Sequence, residues 1–501
     1  MRRLWMQYLW RLPWLLGYCI SSFAAEDPKL CLLLMVRDEE ANLRLNLPLW
    51  RDIIDCIVVG VDDRTTDDSI GTIEAVLPKD LPRWIFPFHF DGFGHARNLV
   101  LEAAWQHFPP PLATHILIGD PDWVPRLETI DKTVLDDHHD TFTVTIWDRS
   151  GYTTRLSQWL LLHVEGIRFK YRLHEMLQHP SSGAASSISL ASGWEVDEME
   201  GDYSWHTSIH HHSTSAGRYE FDLQLLYQDY EDDPDDLHTL LYLGITSFAL
   251  IEARLGQGTH EVSSDIMQLV TDSIAHFERA IELFGSGPKG TEMGWACYRW
   301  LAHVYHYLRK DPLKAAQTYE RCIDYDPGRA DCVIFYSRLL SEQGRVDDAW
   351  RLAYEALLTV YSERSFADFF YAYECFLPMQ AAKLIIEQVA SDGGPLGGET
   401  LNLVTLGLAL CQHQRQHCKQ GPIVDSQEEW TAIEDRLMAL FRVHSDGERL
   451  DAVLEKARAS PNETVLQLLL FKWGQGATAR SFPAGLVADL EGSANGGQDE
   501  L

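Results

Sequence analysis

Two aspartates in the first third of the chain have the type and spacing of a cation site. Asp120 and Asp122 are separated by Pro121 and directly follow the apolar run HILIG. Two carboxylates held one residue apart by a rigid proline can present oxygens to one hard cation such as Mn²⁺ or Mg²⁺. Such a cation would neutralise a diphosphate leaving group. The same triplet also occurs in surface turns, and its position after a strand-like run favours the cation site.

Two further polar clusters precede this pair. The stretch DDRTTDDS at 62–69 is compatible with a nucleotide pocket, in which a carboxylate accepts from the base or ribose. It is equally compatible with the capped start of a helix, because Asp, Thr and Ser are good N-caps. The stretch GHARN at 94–98 places Arg97 at a helix start, where it could steer a phosphate or a catalytic carboxylate. The alternative for an isolated arginine is a surface salt bridge.

Short apolar runs that alternate with helical patterns must position these clusters. Strand-like runs lie at 30–36, 56–61, 83–90, 114–120 and 141–147, the third weakened by Pro87, and amphipathic patterns lie between them. Alternation of this kind predicts an α/β domain with a mostly parallel sheet and helices on both faces. Binding sites in such sheets lie at the carboxyl ends of the strands. The acidic clusters Asp38-Glu39, Asp62-Asp63 and Asp120-Asp122 fall at those ends.

From about residue 214 the pattern is purely helical and repeats. Ala315, Tyr319 and Cys322 recur 34 residues later as Ala349, Ala353 and Ala356, with Pro327 closing one unit and Gly344 at a helix–helix turn. An earlier unit has Leu240, Leu243, Gly244 and Phe248 on its first helix and Phe277 and Ala280 on its second. This period is the tetratricopeptide signature and predicts a solenoid of stacked helix pairs. Residues 256–272 and 285–292 are expected to be insertions.

The two ends of the chain resemble targeting signals. Residues 1–25 combine Arg2 and Arg3 with a short apolar stretch and small residues at 22 and 24, which favours a cleaved signal peptide. A signal anchor is the alternative, although Arg11 and Pro13 leave only about a dozen apolar residues, fewer than a membrane helix needs. The final residues QDEL resemble an endoplasmic reticulum retrieval signal. We expect a protein of the endoplasmic reticulum lumen, with the Golgi or secretion as alternatives.

Charge and composition exclude several classes of function. The chain has 42 basic and 74 acidic residues, a net charge of −32, which argues against nucleic-acid binding and against binding to anionic membranes. Hydrophobic residues make up 46% of the chain, so it is not a disordered protein. Cys31 and Cys56 lie in strand-like runs and are expected to be buried thiols. An even count of eight cysteines beyond the signal peptide permits disulfides without specifying their pairing.

Some other residues permit two interpretations. His210, His211 and His212 could bind a metal, but a polar linker is favoured there. Cys411 and Cys418, with histidines between them, lack the spacing of zinc ligands and are expected on a helix surface. Trp123, Trp147 and Trp159 could stack on sugar rings, and core packing is the favoured alternative. Asn462 opens the sequon that glycosylation in this compartment would use.

The chemistry-bearing motifs appear together in an order that resembles a known family. LMVRDEEANLRLNL, CIVVGVDDRTTDDSI, FDGFGHARNLVLEAA, ILIGDPDW and RLHEMLQ follow one another over residues 30–178, and the helical repeats come after them. This order resembles family 2 glycosyltransferases that carry tetratricopeptide repeats behind the catalytic domain. The resemblance implies a GT-A fold, a nucleotide-sugar donor, a divalent metal cofactor (Mn²⁺ or Mg²⁺) and inverting transfer to an acceptor, a protein or a glycan. The donor it favours is a UDP-sugar.

The resemblance also implies roles for individual residues. Donor-binding residues would be Arg37, Glu39, Asp62, Asp63, Asp67 and Asn98, with Asp38 in the first motif and either Asp62 or Asp63 holding the nucleobase. Metal ligands would be Asp120, Asp122 and His174. Catalytic residues would be Glu175, a candidate base that deprotonates the acceptor, together with His174 and Arg97. Trp123 departs from the family pattern, which has an acidic residue there.

The resulting organisation is a GT-A nucleotide-sugar-binding domain, with a mostly parallel sheet, followed by an all-α tetratricopeptide-like solenoid. Its expected parts are a signal peptide or signal anchor (1–25), the GT-A domain (29–212), the repeats (213–360), degenerate repeats or a cap (361–490) and a flexible tail (491–501). An active glycosyltransferase whose solenoid recruits an acceptor is the favoured function. The alternative is a non-catalytic adaptor with a relic first domain.

Overall fold

The computed structural model describes two compact units of the chain. It covers residues 28–135, 141–147, 153–178, 187–188, 194–198, 216–256, 263–284, 291–357 and 377–392, with a few single positions after residue 400. Described residues up to Glu198 belong to the first unit and those from Ala216 onward to the second. The predictions for 1–25, His210, His211, His212, Cys411, Cys418, Asn462 and 498–501 lie outside the described residues.

The first unit alternates strands and helices through its first half, as the apolar runs predict. Its elements are β1 (Leu30–Val36), α1 (Glu40–Trp50), β2 (Cys56–Asp62), α2 (Ser69–Val76), β3 (Arg83–Phe88), α3 (Phe93–His107), β4 (His115–Gly119) and β5 (Trp123–Pro125). Six strands follow: β6 (Thr141–Trp147), β7 (Thr153–Leu162), β8 (Arg168–Lys170), β9 (Met176–Gln178), β10 (Ser187–Ile188) and β11 (Glu195–Glu198). The unit is therefore an α/β domain.

The main sheet has a parallel half and a mixed half. Its order is β3-β2-β1-β4-β7-β6-β11-β5, with β10 beside β6, and β8 pairs separately with β9. Strands β3, β2, β1 and β4 are all parallel, so the predicted parallel sheet is confirmed for this half. Strand β7 lies antiparallel between β4 and β6 and is absent from the sequence prediction. Its first half, TTRLS, lacks the apolar run that marks a buried strand.

Strand β1 lies at the centre of the parallel half and is buried on both faces. Leu30, Leu32 and Leu34 share one core cluster with residues of α1 and α2. Cys31 and Leu33 belong to the other cluster, which includes residues of α3. Because side chains alternate along a strand, a continuous apolar run is what a strand covered on both faces requires. Strand β3 carries Pro87 and is at the sheet edge, where a missing N–H is tolerated.

The second unit is helical wherever the structure describes it. Its elements are α4 (Ala216–Asp232), α5 (Leu237–Gly256), α6 (Ser264–Phe284), α7 (Glu292–His303), a π-helical segment (Val304–Arg309), α8 (Pro312–Tyr325), α9 (Asp331–Glu342), α10 (Val346–Leu357) and α11 (Leu377–Asp392). Residues 264–272, within the insertion expected at 256–272, form the first turns of α6, and the insertion itself stays a prediction. None of the helices in the described part of the chain is both long and apolar enough to cross a membrane.

Small residues lie where the repeat pattern places helix contacts. A Cβ at Gly244 would come 2.4 Å from the ring of Phe277, so glycine allows α5 and α6 to approach. Ser273 Oγ donates to the Gly244 carbonyl at 2.9 Å across the same contact. The recurring positions Ala315 and Ala349 are fully buried. A disulfide joins Cys322 of α8 to Cys332 of α9, a pairing that the sequence leaves open.

Candidate functional site

The three acidic clusters follow adjacent parallel strands and meet at one edge of the sheet. Strand β1 pairs with β2 on one side and with β4 on the other, and both pairings are parallel. The carboxyl ends of these strands therefore face the same way. Asp38 and Glu39 follow β1, Asp62 ends β2, and the 120–122 turn follows β4. The sequence prediction that these clusters share one edge is confirmed.

Asp38 and Asp67 tie the end of β1 to the 62–69 loop. Asp38 has a left-handed backbone with φ of 54°, and its Oδ1 accepts hydrogen bonds from Thr66 N at 2.6 Å and Thr66 Oγ1 at 3.0 Å. Asp67 Oδ2 accepts from the backbone N of Glu40 at 2.8 Å. The alternative interpretation of this loop as a helix cap also holds, since Asp68 caps α2 by accepting from Gly71 N. Arg37 is exposed beside Asp38.

Asp62 and Asp63 differ in what their carboxylates contact. Asp62 is buried and forms a bidentate ion pair with Arg64, with Oδ1 2.9 Å from Nε and Oδ2 2.5 Å from Nη2. Burial alone would raise the pKa of the Asp62 carboxyl. The hydrogen bonds and the charge of Arg64 oppose this and hold the pKa below its usual range. Asp63 is exposed, and its Oδ2 lies 3.0 Å from His89 Nδ1. Of the two, Asp63 is the more accessible to a ligand.

Asp120 and Asp122 lie in one turn, in which Asp120 is half-buried and Asp122 is buried. Trp123 N donates to the Asp120 carbonyl at 3.1 Å, which closes the turn. Asp122 is 8% exposed and Trp123 is 3% exposed. Trp123 therefore packs in the core, as the sequence analysis favoured over stacking on a sugar ring. The side chains of Trp147 and Trp159 lie outside the described residues. Burial and the charge of Glu175 raise the pKa of the Asp120 carboxyl, and the charge of Arg97 opposes them.

Helix α1 holds this turn through side chains that the sequence analysis did not identify. Asn46 Nδ2 donates to the Pro121 carbonyl and Trp50 Nε1 donates to the Trp123 carbonyl, each at 3.0 Å. Asn42 Nδ2 donates to Glu39 Oε2 at 2.8 Å from the same face of the helix. The sequence does contain a signal for them. Asn42, Asn46 and Trp50 recur every four positions and therefore share one face of the helix, and two of them are polar although that face is buried.

Arg97 and Glu175 form a buried ion pair beside Asp120. Arg97 Nε donates to Glu175 Oε1, and the two side chains are 6% and 10% exposed. Gly94 makes this approach possible, because a Cβ there would lie 2.1 Å from the carbonyl of Tyr171. Phe93 N also donates to the Arg172 carbonyl at 2.7 Å. The 171–175 loop is thereby fixed against the start of α3, and the structure brings together Arg97, Glu175 and Asp120.

Left-handed backbone conformations are concentrated around this site. Among described non-glycine residues of the first unit, positive φ occurs at Asp38, Tyr171 (75°) and His174 (53°). Non-glycine residues seldom adopt this conformation, and such residues cluster at functional sites. His174 is exposed next to Glu175.

Both polar atoms of the Asn98 amide form hydrogen bonds with the backbone of Phe169. Its Nδ2 donates to the Phe169 carbonyl at 2.9 Å, and its Oδ1 accepts from Phe169 N at 2.8 Å. This pair of bonds joins α3 to β8. The donor-binding role implied for Asn98 stays a prediction.

Asp120 and Asp122 are the side chains of this edge that could hold a hard divalent cation. Burial, together with the charges of Asp122, Asp120 and Asp67, raises the pKa of the Glu39 carboxyl to about 9, although the hydrogen bond from Asn42 opposes the rise. Neighbouring like charges and burial both disfavour the charged form of a carboxyl group. The described residues contain no group of three His, Cys, Asp or Glu side chains arranged around a metal.

Mg²⁺ is commonly held by one or two carboxylates together with waters and substrate phosphates, so Asp120 and Asp122 suffice in number. His174 as a third ligand stays a prediction.

No protein-family model matches the sequence, and a search of curated proteins finds no relative. The site can be described by what its geometry is able to do. It offers two aspartates after β4 as candidate cation ligands, the accessible Asp63 two strands away at the end of β2, and a glutamate oriented by a buried arginine. This combination suits binding of a diphosphate ester and activation of a hydroxyl group.

Proposed function

We propose that the protein is a metal-dependent glycosyltransferase with a GT-A first domain and a tetratricopeptide-like second unit. The observation that carries the proposal is the meeting of three acidic clusters at the ends of three adjacent parallel strands, with the Arg97–Glu175 pair beside Asp120. The order of these motifs along the chain resembles family 2 glycosyltransferases. The reaction would be inverting transfer from a nucleotide-sugar donor.

Each group has a defined task in this proposal. Asp120 and Asp122 would hold a divalent cation, and the cation when bound offsets negative charge on the leaving diphosphate. Asp63, which is exposed, suits a hydrogen bond from the nucleobase of UDP. Glu175 is the candidate base for the acceptor hydroxyl, and Arg97 fixes the orientation of its carboxylate. His174 directly precedes Glu175 in the chain.

The second unit would select the acceptor, a protein or a glycan. Stacked helix pairs form extended binding surfaces, and the buried small residues at Ala315 and Ala349 support such stacking. The disulfide between Cys322 and Cys332 supports the proposed location in the endoplasmic reticulum lumen, because disulfides persist in the secretory pathway and are rare in the cytosol.

A non-catalytic adaptor remains the alternative function. The two functions differ in what the first domain must bind, because only a transferase needs a nucleotide and a cation at Asp120 and Asp122.

Thermal protection by UDP tests the proposal. A ligand at a hundredfold excess over its Kd stabilises the folded state by about 2.7 kcal/mol. We expect UDP to raise the Tm of the full chain in the presence of Mn²⁺ and not in EDTA. The double variant Asp120→Asn/Asp122→Asn should stay folded and lose this protection. Full protection of the variant, or none of the unmodified protein, would overturn the proposal.

A further inference from the structure

We infer that Asn46 and Trp50 are positioning residues that hold the 120–123 turn in the geometry in which Asp120 and Asp122 bind a metal. The inference rests on the proposed function. Both residues are on helix α1, outside the turn. Neither supplies a ligand, and both act through the backbone of the turn.

The two side chains bracket Asp122. Asn46 donates to the carbonyl of Pro121, the residue before Asp122, and Trp50 donates to the carbonyl of Trp123, the residue after it. Together with the hydrogen bond from Trp123 N to the Asp120 carbonyl, these contacts fix both ends of a four-residue turn. We expect loss of either donor to free one side of the turn and to change how the Asp122 carboxylate is held relative to Asp120.

The chemistry of Asn46 fits positioning better than packing. Asn46 is 2% exposed, and its Oδ1 has no hydrogen-bond partner among the residues that the structure describes. An unsatisfied buried oxygen destabilises the fold, and an apolar residue of the same shape would avoid that cost. The hydrogen bond from Asn46 Nδ2 to the Pro121 carbonyl of the turn explains why an amide side chain stands at this position.

Helix α1 also carries the other polar contacts of the site. Asn42 holds the Glu39 carboxylate from the same helix face, and Glu40 N at the start of the helix donates to Asp67. The helix thereby links the loops that follow β1, β2 and β4. A rigid helix is a better support for a metal site than a loop, because its side chains are fixed by packing.

Hydrogen-bonding partners behind metal ligands affect metal affinity by about 10- to 100-fold. We therefore expect Trp50→Phe and Asn46→Leu each to weaken Mn²⁺ binding at least tenfold in the presence of saturating UDP. Phe keeps the aromatic ring and removes the N–H, while Leu keeps the shape of Asn and removes both polar groups. In a separate measurement at subsaturating UDP, raising the Mn²⁺ concentration should restore the thermal protection of the variants by UDP, which an unfolded variant would not show.

Trp194→Phe is the matched control. Trp194 is 1% exposed, and its Nε1 donates to the Asp131 carbonyl at 3.2 Å, outside the 120–123 turn. This variant loses the same kind of bond in the same unit, so its Tm should fall about as much as that of Trp50→Phe. Its Mn²⁺ affinity should stay within twofold of the unmodified protein.

The experiment measures free Mn²⁺ by electron paramagnetic resonance during titration of the full chain, with Tm recorded for every variant. A selective loss of Mn²⁺ affinity in Trp50→Phe and Asn46→Leu is the expected result. Equal affinities in these variants and in Trp194→Phe would overturn the positioning role and leave the proposed function standing. Absence of Mn²⁺ binding by the unmodified protein would overturn the proposed function, and this inference with it.

Discussion

Arg97 supplies positive charge beside Asp120 at the acidic edge of the sheet. It pairs with Glu175, and its positive charge opposes the rise in the pKa of Asp120. Both members of the ion pair are at least nine-tenths buried. A buried pair adds little net stability when compared with apolar residues, but removal of one partner leaves a buried charge without compensation. Substitution of Arg97 alone, or of Glu175 alone, should therefore lower the free energy of unfolding more than replacement of both.

Arg97→Met should lower the free energy of unfolding by about 3–5 kcal/mol, because Glu175 and Asp120 lose their cation. The double variant Arg97→Met/Glu175→Met should recover part of that loss. Urea unfolding of the full chain, followed by tryptophan fluorescence, measures both quantities.

Glu102→Gln is the control for this pair. Glu102 is on the same helix, α3, and pairs with Arg168 at 3.0 Å, with side-chain exposures of 44% and 40%. Exposed pairs contribute at most about 1 kcal/mol, so this variant should unfold nearly like the unmodified protein. Equal losses for Arg97→Met and Glu102→Gln would contradict the importance assigned to Arg97.

Elements buried on both faces were the most predictable from the sequence. Strand β1 matches its predicted bounds, since a continuous apolar run of seven residues between polar residues has the length and pattern of a strand covered on both faces. Strand β7 was missed because Arg155 and Gln158 interrupt its apolar pattern. The acidic clusters were predictable because parallel strands bring their carboxyl ends together.

The side chains that hold the acidic turn in place were not predictable from the sequence. Donors such as Asn46 and Trp50 contact backbone carbonyls 73 to 75 positions away along the chain. A backbone carbonyl has no sequence signature, so only the folded chain shows which donors reach it.

Helices α8 and α9 are joined covalently, and the effect on stability can be measured. A disulfide that closes a loop of about ten residues is expected to contribute about 3 kcal/mol by restricting the unfolded chain. The double variant Cys322→Ala/Cys332→Ala should therefore unfold at a lower temperature than the unmodified protein. Differential scanning calorimetry without reductant measures the change.

The free thiols of Cys31, Cys56 and Cys297 are internal controls for this prediction. Alkylation of the denatured, unreduced protein should label these three and leave Cys322 and Cys332 unlabelled until reductant is added. Mass spectrometry of peptides identifies each site. Labelling of Cys322 and Cys332 before reduction would show that the disulfide is absent.

At the scale of the whole molecule, the proposed location requires a lumenal, soluble protein. If residues 1–25 are cleaved and residues 498–501 act as a retrieval signal, deletion of 498–501 should send the protein into the medium. Immunoblotting of medium and cell fractions measures this outcome, with a tail changed to KDEL as the retained control. A full-length protein that stays in the membrane pellet after a carbonate wash would instead favour the signal anchor.

The two units of the chain would divide the proposed reaction, with the donor bound by the first and the acceptor by the second. The residues to which the proposal assigns the chemistry, Asp120, Asp122 and Glu175, all belong to the first unit. Slow hydrolysis of the donor in the absence of an acceptor therefore isolates the central claim from the identity of the acceptor.

The most direct measurement is release of nucleoside diphosphate from a panel of nucleotide sugars by the full chain, with Mn²⁺ or with EDTA. We predict release from at least one UDP-sugar in Mn²⁺ and none in EDTA. The Asp120→Asn/Asp122→Asn variant should release none under either condition. Failure of the folded, unmodified protein to bind or hydrolyse any nucleotide sugar in Mn²⁺ or Mg²⁺ would contradict the proposed function.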